Sequence, residues 1–519
     1  MSANLEPKKT LLSKVGETVS DINDTWLFGI SLTILAIFYA LTLRTGHYWV
    51  GDDLQYIRHA INLIEGKPYI DPLYISNAMA YVAPQAYPPI FPLILSVVYA
   101  IFGLNFMAMK ITLIGFFISS LVIVKIIFKQ HISNVASTLL VLYLGLNPEF
   151  WDFKDRILSE YPFLFFVLLA LLLMQLSDSK QTYIYAVLLG FTMYLSYGIR
   201  EIALVLPLTL VTYELWHYRR VTMRSVVAIG LFLLLAMTQK LVFEATPVHL
   251  EFKQQLDLLL ESGTASPTTF SHININPENI FKQGERYFWS LYRFLQIRYL
   301  PFSGYFYLFA NICVLTGYIT ALRQKIRFTE IYFIGYFCTI LLFAGFDGFR
   351  YLLPILPFYV MYLFTGFLKI TSFCRHPIKI SLTGLLLIIY INAIGLSDMK
   401  SGFIGPSTLS VKLEQLFSFV SNHTQTTDTF VTKEPRVLSF FTRRPASTYP
   451  DQIDSPDWFM KYLQIIQAKY LITAPTMQRP HNKKAIDWVL NHHSNELALV
   501  FDNETFKVYY LTDKKQRAN

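Results

Sequence analysis

Long apolar runs, repeated along the whole chain, constrain this sequence more than anything else in it. They lie at residues 26–43, 107–127, 133–147, 160–176, 182–197, 202–216, 225–243, 301–322, 329–346, 351–368 and 380–396, eleven in all. A helix needs roughly 17 to 25 apolar residues to cross a bilayer, and backbone groups in lipid must bond within their own segment, which favours helices. A chain of 519 residues with 53% hydrophobic and only 15% charged residues, against roughly 25% charged in a soluble domain, is a membrane protein. A soluble enzyme, a disordered tail, a coiled coil and a disulfide scaffold are excluded. Cys313, Cys338 and Cys374 sit in or beside apolar runs and are odd in number, so neither a disulfide framework nor a cysteine metal site is indicated.

Charge placement sets the expected topology. The net charge is +9, and in a membrane protein basic residues first fix orientation, with Lys and Arg kept on the cytoplasmic side; no nucleic-acid partner is implied. Lys8, Lys9 and Lys14 precede the first run and no small-residue cleavage site follows it, which predicts an uncleaved first span with a cytoplasmic N-terminus. The run 89–102 has about 14 residues and fits an interfacial or re-entrant helix better than a span. Left uncrossed, it places Lys125 with Lys129, Arg219, Arg220 and Arg224, Arg323, Lys325 and Arg327, and Lys369, Arg375 and Lys379 on the cytoplasmic side.

Three regions then fall on the outer face: 44–88, 244–300 and about 398–519. Tyr287, Leu291, Phe294 and Ile297 recur at helical spacing among Arg286 and Arg293, which predicts a helix lying along the membrane surface. In the tail the apolar runs shorten (VLSFF, KYLITA, LALVF, FKVYYL) and alternate with helical stretches. This predicts a small α/β domain ending in a hairpin that turns near Asn503 and Glu504. The expected organisation is a leader at 1–25, a membrane domain at 26–397 and an outer domain at 398–519. The expected fold class is mainly α, a polytopic helical bundle of about 11–13 spans with that α/β domain attached.

Acidic residues are few and grouped. Asp52 and Asp53 follow the first span closely and begin an amphipathic helix marked by Leu54, Ile57, Ala60, Ile61 and Ile64. Such a pair serves either as a solvated helix start or, partly desolvated, as a general base. Asp155 and Glu160 flank Arg156, and Glu160 opens a span, where it is either a first-turn dipole partner or a functional group. Two acidic sites on one face suit a base with an orienting carboxylate or a divalent metal, with Asp52 and Glu160 as candidate ligands. Arg200, Arg298 and Arg350 lie at membrane boundaries on the outer face. Each either snorkels to lipid or grips a phosphate through paired charge-assisted hydrogen bonds. GxxxxGK[ST], GxGxxG, HExxH and GxSxG are absent from any suitable context, so nucleotide-driven pumping is not expected.

In order and spacing, GDDLQYIRHAINLIEGKPY, QAYPPIFPLILSVVYAIFGLN, ILSEYPFLFFVLLALLL and RYLLPILPF resemble the C-type (GT-C) glycosyltransferases. Within them the chain is similar to the bacterial branch related to protein O-mannosyltransferases and lipid A aminoarabinose transferases, over about residues 26–400. The resemblance implies a monomeric enzyme of the bacterial plasma membrane that moves a sugar, with inversion, from a polyprenyl-phosphate carrier to a lipid, glycan or protein acceptor outside. It puts Asp52 at the family's Asp, with Asp53 replacing the following Glu and Tyr56 matching the Tyr. Either carboxylate is left as the base. Glu160 matches the second acidic site, Tyr87, Pro88 and Pro89 the Pro-rich helix entrance, and Arg350 with Tyr351 the late Arg-aromatic pair. The mechanism this implies has Arg350, aided by Arg298 or Arg200, hold the carrier phosphate while Asp52 deprotonates the acceptor. A flippase of lipid-linked sugars, or a ligase of whole oligosaccharides, would share many of these features.

Overall fold

The computed structural model describes residues 11–44, 51–75, 87–243, 277–342, 348–402, 407–450, 455–474 and 480–512. Each of the eleven apolar runs is mostly helical over its described residues. The helices are α1 Leu11–Leu41, α2 Gly51–Glu65, α3 Ile90–Phe102, α4 Phe106–Phe128, α5 Asn134–Gly145, α6 Pro148–Phe153, α7 Glu160–Lys180, α8 Tyr183–Tyr197, α9 Val205–Tyr218, α10 Met223–Phe243, α11 Pro277–Phe294, α12 Ser303–Gln324, α13 Phe328–Leu342, α14 Phe349–Leu352, α15 Leu356–Thr371 and α16 Pro377–Gly402. Among the described residues, six helical segments are long and apolar enough to cross a membrane. Runs 133–147 and 202–216 give shorter helices because breakers intervene: the first stops at Gly145 before Pro148, and the second starts with a 3-10 turn at Glu201–Leu204. Helix α3 has 13 residues, about 20 Å of rise against a hydrocarbon core of about 30 Å.

Side-chain caps start the helices where the sequence offers them. Asn105 accepts from the Ala108 amide at 3.0 Å, and Asn147 from the Glu149 amide at 3.0 Å. Helix α7 is central and packs against α4 and α8, while α2 and α3 lie together beside it. Helices α12 and α15 approach so closely that a Cβ added at Gly317 would sit 2.0 Å from the Tyr362 carbonyl oxygen, and one at Gly366 1.8 Å from that of Cys313. Only glycine allows this backbone contact. On α11, Gln283, Tyr287, Leu291 and Phe294 are buried and Ile297 follows in a buried 3-10 turn, the face expected from the spacing. Cys313, Cys338 and Cys374 are unpaired thiols.

The C-terminal region holds α17 Ser407–His423, α18 Pro435–Thr442, α19 Pro456–Ile465 and α20 Pro480–His492, with strands β1 Phe430–Val431, β2 Ala446–Ser447, β3 Tyr470–Thr473, β4 Leu497–Asp502 and β5 Lys507–Leu511. They form one sheet in the order β2-β1-β3-β5-β4. Strands β1, β2 and β3 run parallel, and β5 is antiparallel to β3 and β4. The β4–β5 hairpin turns at Asn503 and Glu504, where Glu504 takes φ 69° and the Asn503 side chain accepts from the Phe506 amide at 2.8 Å. One side of the sheet packs Phe459, Leu463, Ile486 and Val489, and the other Leu413, Leu416, Val420 and Leu438. Beyond β2 the segment that follows α2 adds a strand position. Tyr74 bridges Ala446 in parallel, with the Ile75 amide donating to the Ala446 carbonyl and the Ala446 amide to that of Leu73, both at 2.9 Å.

Candidate active site

Helix α2 begins against α18 of the C-terminal region. The Gly51 amide, an unsatisfied donor of the first turn, donates to Oε2 of Glu434 at 3.2 Å. Asp52 and Asp53 follow, and about 100° of helical rotation per residue sends them into different surroundings. Asp53 is fully buried; its Oδ2 accepts from the Ile157 amide at 3.2 Å and its Oδ1 has no partner. Burial, with the neighbouring Asp52 charge, pushes the Asp53 carboxyl up to about 7.

The Asp52 side chain is 20% exposed and sits between two guanidinium groups. Arg350 Nη1 donates to Oδ2 at 3.0 Å, Arg436 Nη1 to Oδ1 at 3.1 Å, and the Tyr87 hydroxyl to Oδ1 at 2.8 Å. Burial acts to raise the Asp52 carboxyl, but Arg350, Arg436 and the Tyr87 hydrogen bond outweigh it and hold it below the ordinary carboxylate value. Asp52 is therefore the ionised, accessible carboxylate of the pair, and Asp53 the enclosed one.

Arg350 is shared. Its Nε donates to Oε1 of Glu160, which also accepts from Arg200 Nη2 at 2.6 Å. Arg200 Nε reaches the Ser159 hydroxyl at 3.0 Å, and Ser159 lies 3.4 Å from the Tyr56 hydroxyl. Tyr56 stacks on Tyr87 at 4.3 Å and meets Phe91 edge-on at 4.8 Å, and Arg200 lies 5.7 Å from the Tyr351 ring. Gly348 enters this corner with φ 56° and ψ −127°, a conformation open to glycine alone. Phe349 then packs on Phe150, Phe153 and Phe294 at 5.9, 5.6 and 5.8 Å. These contacts anchor the turn that presents Arg350.

Six of the residues singled out in the sequence thus meet in one network, Asp52, Tyr56, Tyr87, Glu160, Arg200 and Arg350, with Tyr351 beside Arg200 and Asp53 turned inward to the Ile157 amide. Two others go elsewhere. Asp155 accepts from the Arg44 amide at 2.8 Å and pairs with Lys154, while Arg156 turns to Asp152 at 2.6 Å. Arg298 donates to the Tyr299 hydroxyl at 2.8 Å, which donates to Asp398 at 2.6 Å. Sequence reasoning missed Arg436, Glu434 and Ser159. Arg436 follows a proline at a helix start in TKEPRVLSFF, which reads like any exposed first turn, yet it is 1% exposed.

Asp52 and Glu160, the carboxylates considered for a metal, are bridged by the Arg350 guanidinium. No group of three or more His, Cys, Asp or Glu suited to a metal occurs among the described residues. A divalent cation does not fit this donor set, because the Arg350 guanidinium stands between the two carboxylates where the metal would have to sit.

No protein-family model matches the sequence, and no curated protein matches it. Solved structures do. The chain aligns over 94% of its length with the oligosaccharyltransferase AglB of Archaeoglobus fulgidus in complex with an inhibitory peptide and a dolichol-phosphate, covering 74% of that chain at 11% identity and a TM-score of 0.58. It aligns equally far with ArnT of Cupriavidus metallidurans bound to undecaprenyl phosphate, covering 98% of that chain at 12% identity and a TM-score of 0.55. At such identities the likeness is one of fold. Over nearly its whole length this integral membrane chain has the GT-C fold expected from the sequence.

Proposed function

We propose that the chain is a membrane glycosyltransferase that moves a sugar from a polyprenyl-phosphate carrier to an extracytoplasmic acceptor, with inversion. The observation that carries this reading is the convergence of three guanidinium groups on two carboxylates: Arg350, 14% exposed, divides itself between Asp52 and Glu160, while Arg436 also holds Asp52 and Arg200 also holds Glu160. An anion that enters gains charge-assisted hydrogen bonds without leaving a buried acid unpaired. A lipid phosphate is an anion delivered at membrane depth, and the two structures of like fold hold such lipids.

The chemistry follows from the geometry. The donor phosphate takes the outward face of Arg350, which keeps Glu160 and gives up Oδ2 of Asp52. Freed, Oδ2 accepts the proton of the acceptor hydroxyl or amine as that atom attacks the anomeric carbon. The bond from that carbon to the phosphate oxygen breaks on the opposite face, and polyprenyl phosphate leaves with the bonding electrons. The leaving group is already a stable anion held by Arg350 and Arg200, so positioning and charge stabilisation supply most of the rate. Ordered addition follows, because the base is uncovered only once the donor has engaged Arg350. Asp53 supports the turn from inside by holding the Ile157 amide.

The test is reconstitution in proteoliposomes with polyprenyl-phosphate hexose, pentose or aminopentose, reading the release of free polyprenyl phosphate. Transfer is expected with one of these donors, and Asp52→Asn should lower it about a hundred- to ten-thousand-fold while binding of undecaprenyl phosphate persists. Intact labelled donor appearing across the bilayer, with no phosphate lipid released, would make the chain a flippase instead.

A further inference from the structure

We propose that Arg436 is a positioning residue for Asp52, so that the C-terminal domain is a working part of the reaction centre and not only a cover or an acceptor platform. This rests on the transferase reading above and extends it to a residue outside the membrane domain.

The two guanidinium groups on Asp52 are not equivalent. Arg350 is 14% exposed and divides itself between Asp52 and Glu160, so it can release one and keep the other. Arg436 is 1% exposed, and its contacts lie on the first outer loop: Oδ1 of Asp52 at 3.1 Å, the Tyr74 ring at 4.7 Å and the Tyr87 ring at 5.9 Å. When Arg350 turns to phosphate, Arg436 and Tyr87 still hold Oδ1. The carboxylate keeps its orientation and its charge, with Oδ2 aimed at the acceptor.

Everything around Arg436 fixes its place. Glu434, two residues earlier, takes the Gly51 amide at 3.2 Å. Arg58 donates to the Phe440 carbonyl at 3.4 Å and lies 4.8 Å from the Phe440 ring. Helix α18 lies so near α2 that a Cβ at Gly51 would stand 3.3 Å from Cδ of Arg436 and 3.4 Å from Oε2 of Glu434. The Tyr74–Ala446 bridge completes the seam. His59, one turn beyond Tyr56 on α2, is fully buried with neither ring nitrogen paired. Burial first, then Arg436 and Arg58, push it down to about 3, so it adds no charge at working pH.

The charged and titratable groups facing Asp52 are therefore Arg350, Arg436, Tyr87, Asp53, Glu434, Tyr56 and Glu160. Removing Arg436 leaves Arg350 as its only cationic hydrogen-bond partner among the described residues, and in the proposed reaction Arg350 is occupied by phosphate during turnover. The experiment compares wild type, Arg436→Gln and Arg436→Lys in proteoliposomes, using the donor on which wild type releases polyprenyl phosphate, across pH 4 to 9. In Arg436→Gln, kcat should fall about 10- to 100-fold through misplacement of the base. The acidic limb of the kcat profile should move up by about one pH unit or more. Undecaprenyl phosphate binding should stay within about threefold, because Arg350 and Arg200 hold the carrier. Arg436→Lys should return the limb towards wild type while restoring only part of the rate, since an ammonium lacks the planar fork. Equal loss at every pH in both variants, with an unmoved limb, would reduce Arg436 to a packing contact and overturn the inference, as would wild-type kcat in either. If Arg436→Gln does not fold, as read by monodispersity and carrier binding, Arg436→Lys carries the test: kcat about tenfold down with donor KM unchanged supports the inference, and wild-type kcat overturns it. A wild type that releases no polyprenyl phosphate with any donor defeats the transferase reading and this inference together.

Discussion

Two buried ion clusters stand at opposite ends of α1 and α4, and they are built on different principles. At one end Lys125 donates to Oδ2 of Asp24 at 3.1 Å and to the Asn134 carbonyl at 2.6 Å, with Thr138 closing the group and Lys129 at 3.9 Å. Asp24 and Lys125 are satisfied in place by each other and by backbone, and the cluster clips α1 to α4 and α5. At the other end Asp52 and Glu160 are shared among three arginines from three separate parts of the chain. In the first arrangement the groups keep fixed partners, whereas in the second a single guanidinium, Arg350, 14% exposed, is divided between two carboxylates. Burial and ion pairing alone do not distinguish a clip from a site; a shared, accessible cation does.

That difference is open to attack. Arg350→Gln takes away the shared guanidinium, and transfer should drop about 100- to 1,000-fold, the usual scale for one electrostatic donor, with donor KM raised. An unchanged donor KM would mean that the phosphate sits elsewhere. Lys125→Met should do the converse. Leaving the buried Asp24 with only Thr138 and the more distant Lys129 should cost stability, up to about 3 kcal/mol, seen as a lower unfolding temperature in detergent, while kcat and KM of the folded fraction hold.

Asp53→Asn probes the enclosed acid. Its carboxyl sits at about 7, above the roughly 3.9 of an unfolded chain, so the folded state binds the proton more tightly. The resulting stability is full below about pH 4 and is lost as pH rises through about 7. Wild type should therefore lose unfolding temperature between pH 4 and 8, and Asp53→Asn should lose less. Glu434, also pushed up to about 7 chiefly by burial, acts with the same sign, so the fall is reduced and not abolished. The smallest effect is expected for Arg298→Gln. Arg298 is tied to Tyr299 beside Asp398, so donor KM should change by less than about threefold; a tenfold rise would draw it into the phosphate site.

Much of this was legible in the residues. Apolar periodicity located the helices, the Tyr287, Leu291 and Phe294 spacing marked the buried face of α11, and the turn at Asn503 and Glu504 marked the hairpin. The convergence of Asp52, Glu160, Arg200 and Arg350 on one candidate site was legible too, because they are charges at apolar boundaries, where charge is costly and calls for a reason. Arg436 was not. In a polar outer domain a charge is ordinary, and its burial depends on α18 packing against α2, a contact that spans more than three hundred residues. Asp155 misled for the opposite reason: it shares a short segment with Glu160, yet the 154–159 turn points the two apart. The shortened helices also escaped notice, since hydropathy does not register Gly145 followed by Pro148 as a break.

The Tyr74–Ala446 pairing bears on biogenesis. Residues 73–75 leave the ribosome early and gain their strand partner only after some 370 further residues have been made and all the intervening helices have been inserted. Contacts this remote in sequence form late. Until α18 docks, Asp52 lacks the guanidinium of Arg436, so on the proposed reading a nascent chain would work at the reduced rate expected of Arg436→Gln, and the seam would set the order in which the site is assembled.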